Sequence, residues 1–511
     1  MTEKKPNDVS SDYEAMAPYW KMVATILGGA DAMRAAGPAY LPKFANETDA
    51  DYDFRRKNGK FTNIFRDIVE NLAAKPFSKE VTLGDTTPDR IKTLAEDISG
   101  QGDHIHVFAA NCFFRGIAYA IDWILIDYTK NVPPNATQAD EQRIGARPYW
   151  VPVPCGNLLA IYSEMIGGVE VFVHARIKED TTERDGYGEK TVERVRILNR
   201  VVTYDGNGEA ISAAPATWQV LEKVDAVGSV AERWIEKGAG LLSIGIIPLV
   251  PFITGRRLGH SWRLTPPLKD AAFLQIEHYQ QESGLKYAKE LTCFPMLAGN
   301  GVTPQMGADG KPVPVPVGPK SVLYAPASSE GRPGQWTFIE PSAESLKFLA
   351  DDIKQTEQQL RELGRQPLTA QTGNLTVVTT AFAAQKGNSA IQAWALNLRD
   401  ALENAMKITA MWLRETVEPE VLVHDDFDLD PNDEKGPDTL LKMREDGDLS
   451  QRTLWAEMRR RNILSPEFDA DDEEQAIIDE MPSEPSDEEL AASLTGGAPQ
   501  PQQTPPQPKA A

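Results

Sequence analysis

The segments TPPLKDAAFLQIEHYQQESGLKYAKEL (265–291) and SAESLKFLADDIKQTEQQLREL (342–363) decide how this chain is organised. Both place apolar residues at helical spacing: Leu268, Ala272, Ile276 and Tyr279 in the first, and Leu346, Leu349, Ile353, Leu360 and Leu363 in the second, with Thr356 between. Thr265 suits an N-cap, and Pro266 the first helical position, where a missing N–H costs nothing. Gly284 weakens or bends the first helix midway. The second helix starts at Ser342, and Gly364 supplies its stop. Its apolar positions form a narrow, heptad-like seam that suits packing on its own domain or beside copies of itself. Between the two helices, residues 293–340 are rich in Pro and Gly (Pro304, Pro312, Pro314, Pro316, Pro319), and KPVPVPV sets Val313, Val315 and Val317 on one face of an edge ribbon. Residues 321–324 and 335–339 read as better strands. A chain that climbs a helix, makes a β excursion and returns builds a stalk with a tip, which points to an assembly part.

Downstream, 366–387 reads as a long polar loop rich in Thr, Ala and Gln, bracketed by Arg365 and Lys386. In a ring such cations would form a belt able to grip a phosphate backbone briefly. A third amphipathic helix spans 388–418, capped by Asn388 or Ser389, with Ile391, Trp394, Leu398, Leu402, Ala405, Ile408 and Trp412 on its apolar face. A strand at 421–423 and helices at 438–443 and 451–460 follow, the last capped by Ser450. The Pro/Gln-rich end is expected to be disordered from 482 onward.

Upstream, 1–12 is polar and expected to be disordered. Helices are expected through Tyr19–Leu27 and at 61–72, 91–98 and 108–121; DWILIDY (122–128) reads as a buried strand. From 149 the period changes. Segments 149–153, 168–177, 193–204 and 217–224 alternate or are β-branched, and turn signals such as Asp185-Gly186 and Asp205-Gly206-Asn207-Gly208 separate them. That is an antiparallel sheet with meander connections, and 246–252 adds a strand.

The length of 511 residues allows two or three domains. The longest apolar candidate, 241–253, is short and carries Pro248 and Pro251, so no membrane span is expected. The N-terminus has no apolar signal core. Cys112, Cys155 and Cys293 form no CxxC pair and read as reduced thiols of a cytosolic folding environment. The net charge is −22, of which 467–511, with 12 acidic residues and one lysine, holds half. Tail and body are both acidic, so tight wrapping of nucleic acid is disfavoured, whereas passage of DNA without sticking is not.

Catalytic motifs are missing. Residues 307–311 (GADGK) have the wrong spacing for a phosphate loop, Gly259-His260-Ser261 only superficially resembles a nucleophile elbow, and there is no HExxH. His104 and His106 would share one side of a strand. Asp426, Asp428 and Asp430 would share a strand face, and Asp49, Asp51 and Asp53 a loop, spacings that suit a hard cation but more plainly a solvated acidic surface. No catalytic residue, metal or cofactor is expected, and the chain is not read as an enzyme. Turnover abolished by one change at Asp426 or His106 would revive an enzymatic reading.

Several stretches, in order, resemble tailed-bacteriophage portal proteins, most closely a portal-like family formerly known only as a domain of unknown function. They are AGPAYLPKFANETDADYDFRRKNGKFTN (35–63), GIAYAIDWILIDY (116–128, lacking the family's proline), RPYWVPVPCGNLLAI (147–161), IGIIPLVPFITG (244–255), PPLKDAAFLQIEHYQQESGLKYAKELTCFPMLAGNG (266–301), FIEPSAESLKFLADDIKQTEQQLRELG (338–364) and DLSQRTLWAEMRRRNIL (448–464). They are collinear over 35–480; Cys155 and the Gln/Thr-rich 366–387 depart from the pattern. The resemblance implies an α+β protomer that assembles as a ring. Beyond a disordered arm (1–12), it has a wing (13–264 with 389–435), stem helices (265–292 and 341–364), a small β clip (293–340), a channel loop (365–388), a helical crown (436–481) and a disordered tail (482–511). It implies DNA-facing candidates Arg365, Gln366, Gln371, Asn374, Gln385 and Lys386 in the channel loop, and terminase-docking candidates Val313, Val315, Val317 and Lys320 in the clip. The seam residues would pack subunit on subunit. The implied function is a dodecameric ring at the unique capsid vertex of the virion, assembled in the host cytoplasm. It would carry double-stranded DNA and meet the terminase large subunit, the major capsid or scaffold protein and a head–tail adaptor. The alternative is another head–tail connector or scaffold component without a DNA channel.

Overall fold

The computed structural model describes residues 4–129, 137, 140, 143–224, 232–292, 296–300, 302, 306–308, 310–311, 334–339, 343–364, 377–416, 419–425, 427, 436–460, 464, 468 and 470–480. It is a mixed α+β structure with two compact units, Met1–Asp428 and Leu429–Ala511. The first opens with helices α1 (Ser11–Leu27), α2 (Gly29–Ala36), α3 (Asp49–Asn58) and α4 (Ile64–Ala74), strand β1 (Thr82–Leu83), and helices α5 (Asp89–Ala95) and α6 (Ile105–Tyr119). Strands β2 (Ile121–Tyr128), β3 (Pro148–Val153), β4 (Leu158–Ile166), β5 (Val169–Lys178), β6 (Thr181–Asp185), β7 (Gly188–Val192), β8 (Arg194–Asn199), β9 (Val202–Tyr204), β10 (Ala210–Ala213), β11 (Thr217–Val224), β12 (Arg233–Leu241) and β13 (Leu249–Ile253) follow. The short β14 (Arg256–Arg257) and β15 (Leu264–Thr265) lead to helix α7 (Lys269–Thr292), a ribbon of β16 (Met296–Asn300) and β17 (Gln335–Ile339), helices α8 (Ala343–Leu363) and α9 (Val377–Leu413), and β18 (Val421–Leu422), which pairs with β1. The second unit holds α10 (Gly436–Glu445), α11 (Gln451–Arg460) and α12 (Ala470–Glu480).

β2 explains the layering of the first unit. Six of its residues are buried in succession because it is the middle strand of a three-stranded sheet, β13-β2-β3, covered on both faces. Ile124 and Ile126 face a helical core with α4, α6, α7 and α9, and Trp123 and Leu125 face a second core against the five-stranded sheet. A strand covered on both sides reads as an unbroken apolar run rather than an alternation. The five-stranded sheet, β12-β11-β8-β5-β4, is antiparallel throughout, and the β6–β7 and β9–β10 hairpins interrupt an otherwise simple meander. Gly116 is required by a close approach: a Cβ there would lie 2.2 Å from the Phe252 ring, which packs against α6.

Several expectations are corrected. From residue 4 the N-terminal arm is held in place: Ser10 N donates to Leu159 O, Lys5 pairs with Glu232, and Asp12 accepts from Trp262 N at 2.8 Å and Arg263 Nε at 2.9 Å. These partners lie far off in sequence, so local polarity misled. Thr265 is not an N-cap, because its backbone pairs with Arg256 in the β14–β15 ribbon, and the helix starts four residues later. α7 then runs unbroken through Gly284. Gly364 does follow the end of α8, and space is the reason: a Cβ would lie 2.5 Å from Ile68 Cδ1. Ser450 caps α11, accepting from Thr453 N at 3.2 Å.

Candidate functional site

The stalk read from the sequence corresponds to α7, the β16–β17 ribbon and α8. α7 turns Leu268, Ala272, Ile276 and Tyr279 into the helical core as its spacing predicts. The stripe beside them is polar yet buried, and it fastens α7 to the segment between α3 and α4. Gln275 accepts from Phe65 N at 2.8 Å and donates to Thr62 O at 3.0 Å. Glu282 accepts from Lys60 Nζ at 2.6 Å, and from Thr62 N and Thr62 Oγ1 at 3.0 Å each. Ser283 donates to Lys60 O and Lys286 to Asn58 O. A buried carboxylate survives because these donors replace its water.

The 35–63 stretch that carries the resemblance is a structural clamp for this anchorage. Arg55 and Glu47 form a bidentate ion pair, Nε to Oε1 and Nη2 to Oε2 at 2.8 Å each, with the guanidinium over the Phe44 ring. The pair is almost wholly buried, and it holds Glu47 below the usual carboxylate range. Tyr52 donates to Leu41 O, Arg55 to Pro42 O and Gln280 of α7 to Tyr40 O, so the YLP carbonyls are acceptors for one helix on each side. No linear pattern revealed this role, because the motif's backbone, not its side chains, makes most of the bonds.

α8 returns antiparallel to α7: Gln281 meets Asp352 at 3.2 Å, and a groove near 660 Å³ is lined by Asp270, Phe273, Leu274 and Glu277 on one side and by Gln359 and Leu363 on the other. The predicted seam splits. Leu360 is fully buried and Thr356 nearly so, against the chain's own body, where Arg361 also pairs with Asp67 of α4 at 3.0 Å. Leu346 and Ile353 are half-buried, and Leu349 and Leu363 remain 40% and 44% exposed. Phe273 of α7 and Phe348 of α8 stand 55% and 72% exposed. The hairpin thus keeps part of its apolar surface for itself and leaves part without cover.

The channel-loop boundary is corrected. α9 begins at Val377, eleven residues before the expected cap, so Gln385 and Lys386 lie on a helix rather than in a loop. The helix passes through Gly387 and Asn388, although both residues favour a boundary by propensity. Its C-terminal part packs as expected, with Ile391, Leu398, Leu402 and Ala405 fully buried, and Trp412 Nε1 bonds Ile126 O at 3.1 Å. It ends at Leu413 with Arg414 at positive φ, five residues earlier than expected. Arg365, Gln366, Gln371 and Asn374, the clip candidates Val313, Val315, Val317 and Lys320, the strand at 321–324, the aspartates 426, 428 and 430, and the tail from 482 lie outside the described residues.

The described histidine and aspartate candidates belong to helices. His104 and His106 sit at the start of α6, not on a strand: His104 is the N-cap, and His106 Nδ1 accepts from Val81 N at 3.1 Å. Asp49, Asp51 and Asp53 fall in α3, not in a loop; Asp49 meets Lys43 at 2.7 Å, and Asp53 meets Arg56 and Lys57 at 3.0 Å each. Among the described residues no three potential ligands come together as a metal site, and no helix is long and apolar enough to cross a membrane.

Residues 267–413, from α7 through α9, match a family model described as a domain of unknown function, DUF4055. No curated protein matches the chain. Among solved structures, the chain is similar to a component of the neck of a native GTA particle computed with C12 symmetry, with 11% identity, 82% of this chain and 96% of that one covered, and a TM-score of 0.38. It is likewise similar to a chain of the virion of a native gene transfer agent (GTA) particle, with 11% identity, 85% and 99% coverage and a TM-score of 0.38. A third likeness, to the neck of an empty GTA particle computed with C6 symmetry, has 11% identity, 82% and 96% coverage and a TM-score of 0.40.

Proposed function

We propose that this chain is a portal-type protein. Copies assemble side by side into a closed, dodecameric ring at one capsid vertex of a phage-like virion, and the α7–α8 hairpins form its stem. The ring passes double-stranded DNA during packaging and ejection. It docks the terminase large subunit at the tip beyond β16 and β17, contacts capsid or scaffold protein, and later seats a head–tail adaptor. The protein is a structural part and not an enzyme, and the work of translocation comes from the partner motor.

The observation that carries this reading is the hairpin itself. A two-helix stalk, anchored to its body by a dense polar stripe, leaves Phe273, Phe348, Leu349 and Leu363 uncovered. Exposed apolar surface on a rigid, repeated element is what a heterologous interface that closes into a ring requires. The collinear resemblance to portal proteins supports the same assignment. An acidic chain of net charge −22 suits a channel that must not hold DNA tightly.

Native mass spectrometry with negative-stain imaging tests it. The expected particle is a ring of about twelve 56.3 kDa copies with a central hole of about 20 Å or more, the width that duplex grooves and helices demand. A monomer that persists at high concentration, with capsid and scaffold protein added, would overturn it.

A further inference from the structure

The anchorage of α7 contains a titratable group that holding the helix in place does not need. His278 is 1% exposed, on the same face of α7 as Glu282, and its Nδ1 has no hydrogen-bond partner. That nitrogen lies 3.8 Å from Glu282 Oε2, the oxygen that accepts the Thr62 amide. The charged groups that face His278 are Glu282 on its own helix, Glu357 on α8 and Lys60 on the segment before α4. It therefore sits where α7, α8 and the 58–65 segment meet.

We infer that His278 makes the attachment of the α7–α8 hairpin to the body responsive to pH: protonation of its ring loosens the bonds that Glu282 makes to residues 60–62. An imidazolium at Nδ1 becomes a donor aimed at Oε2, in competition with the Thr62 amide and with Lys60 for one carboxylate. The proton comes from solvent, and the N–H bond it makes on the ring is the only covalent change. Burial keeps the ring's pKa below its ordinary value, with Lys60 acting in the same direction and Glu282 and Glu357 against it. The sign follows: between the lowered value and about 6.5 the released state binds more protons than the docked one, so docking weakens as pH falls. The inference concerns the protomer and stands whether or not the ring forms.

Amide hydrogen exchange on the full chain, followed by mass spectrometry and corrected for intrinsic rates, reads this directly. For the peptide covering 58–66, protection is expected to fall several-fold between about pH 7.5 and about pH 5.5. A peptide within β2 should show no such fall over the same range, since the raised Asp122 carboxyl favours the folded state as pH falls. His278→Gln should abolish the fall, and Glu282→Gln should leave 58–66 weakly protected at both values. Should His278→Gln not fold, His278→Asn repeats the test. Equal protection of 58–66 at both pH values in the wild type, or an unchanged fall in the histidine variant, overturns the inference.

Discussion

Asp122 lies in the middle layer with a side chain only 1% exposed, and Arg115 meets its Oδ2 at 2.9 Å while Oδ1 has no partner. Burial pushes its carboxyl up to about 7, against the pull of the Arg115 guanidinium. The folded state therefore holds a proton that the unfolded chain has already lost between about pH 4 and about pH 7, and stability falls as pH rises through that window. Asp122→Asn keeps an acceptor for Arg115 and removes the titration. Its urea midpoint is expected to exceed that of the wild type at about pH 8 and to match it at about pH 4; an identical pH profile would refute this. The Arg55–Glu47 pair is the opposite case, a buried pair whose geometry is satisfied. Arg55→Met leaves the buried Glu47 carboxylate without its counter-ion and with the Phe44 amide as a remaining donor, and is expected to cost on the order of 3 kcal/mol, read as a lowered thermal midpoint. Gly116→Val should be worse than its surface counterparts, because its side chain would collide with Phe252.

At the scale of elements, α8 separates two uses of one apolar pattern. Leu360 is buried in the protomer, so Leu360→Ala should lower protomer stability by about 2–5 kcal/mol through loss of packing and the cavity left behind. Phe348 is largely exposed in the protomer. Phe348→Ser should therefore leave the thermal midpoint of the protomer unchanged while reducing the proportion of rings seen by native mass spectrometry. Equal effects of both changes on the midpoint would show that the exposed residues have no separate role in assembly. The heptad-like spacing was legible in the sequence, but the division between these roles was not. Spacing reports which residues share a face, whereas burial depends on whether α4 and α7 reach that part of the face. The same holds for Thr265, whose cap-like context yields to backbone pairing with Arg256.

At the scale of the whole molecule, the division at Leu429 predicts that a chain ending at Asp428 retains the melting behaviour of the first unit. A large fall in its midpoint would contradict that independence. The two helices flanking the β ribbon, the buried run of β2 and the antiparallel strands from 149 onward could be derived from periodicity, whereas helix α3, expected as a loop, could not. The former are local properties, written in which residues recur on one face. The docking of the N-terminal arm, the clamp around Glu47 and Arg55, the polar stripe of α7 and the early start of α9 could not. Each depends on partners brought together across many residues, or on a helix continuing through weak formers once its neighbours hold it. Local sequence determined the elements of this protein; only the tertiary structure decided which polar groups are buried and which apolar ones stay uncovered, because burial is a property of the surroundings and not of the residue.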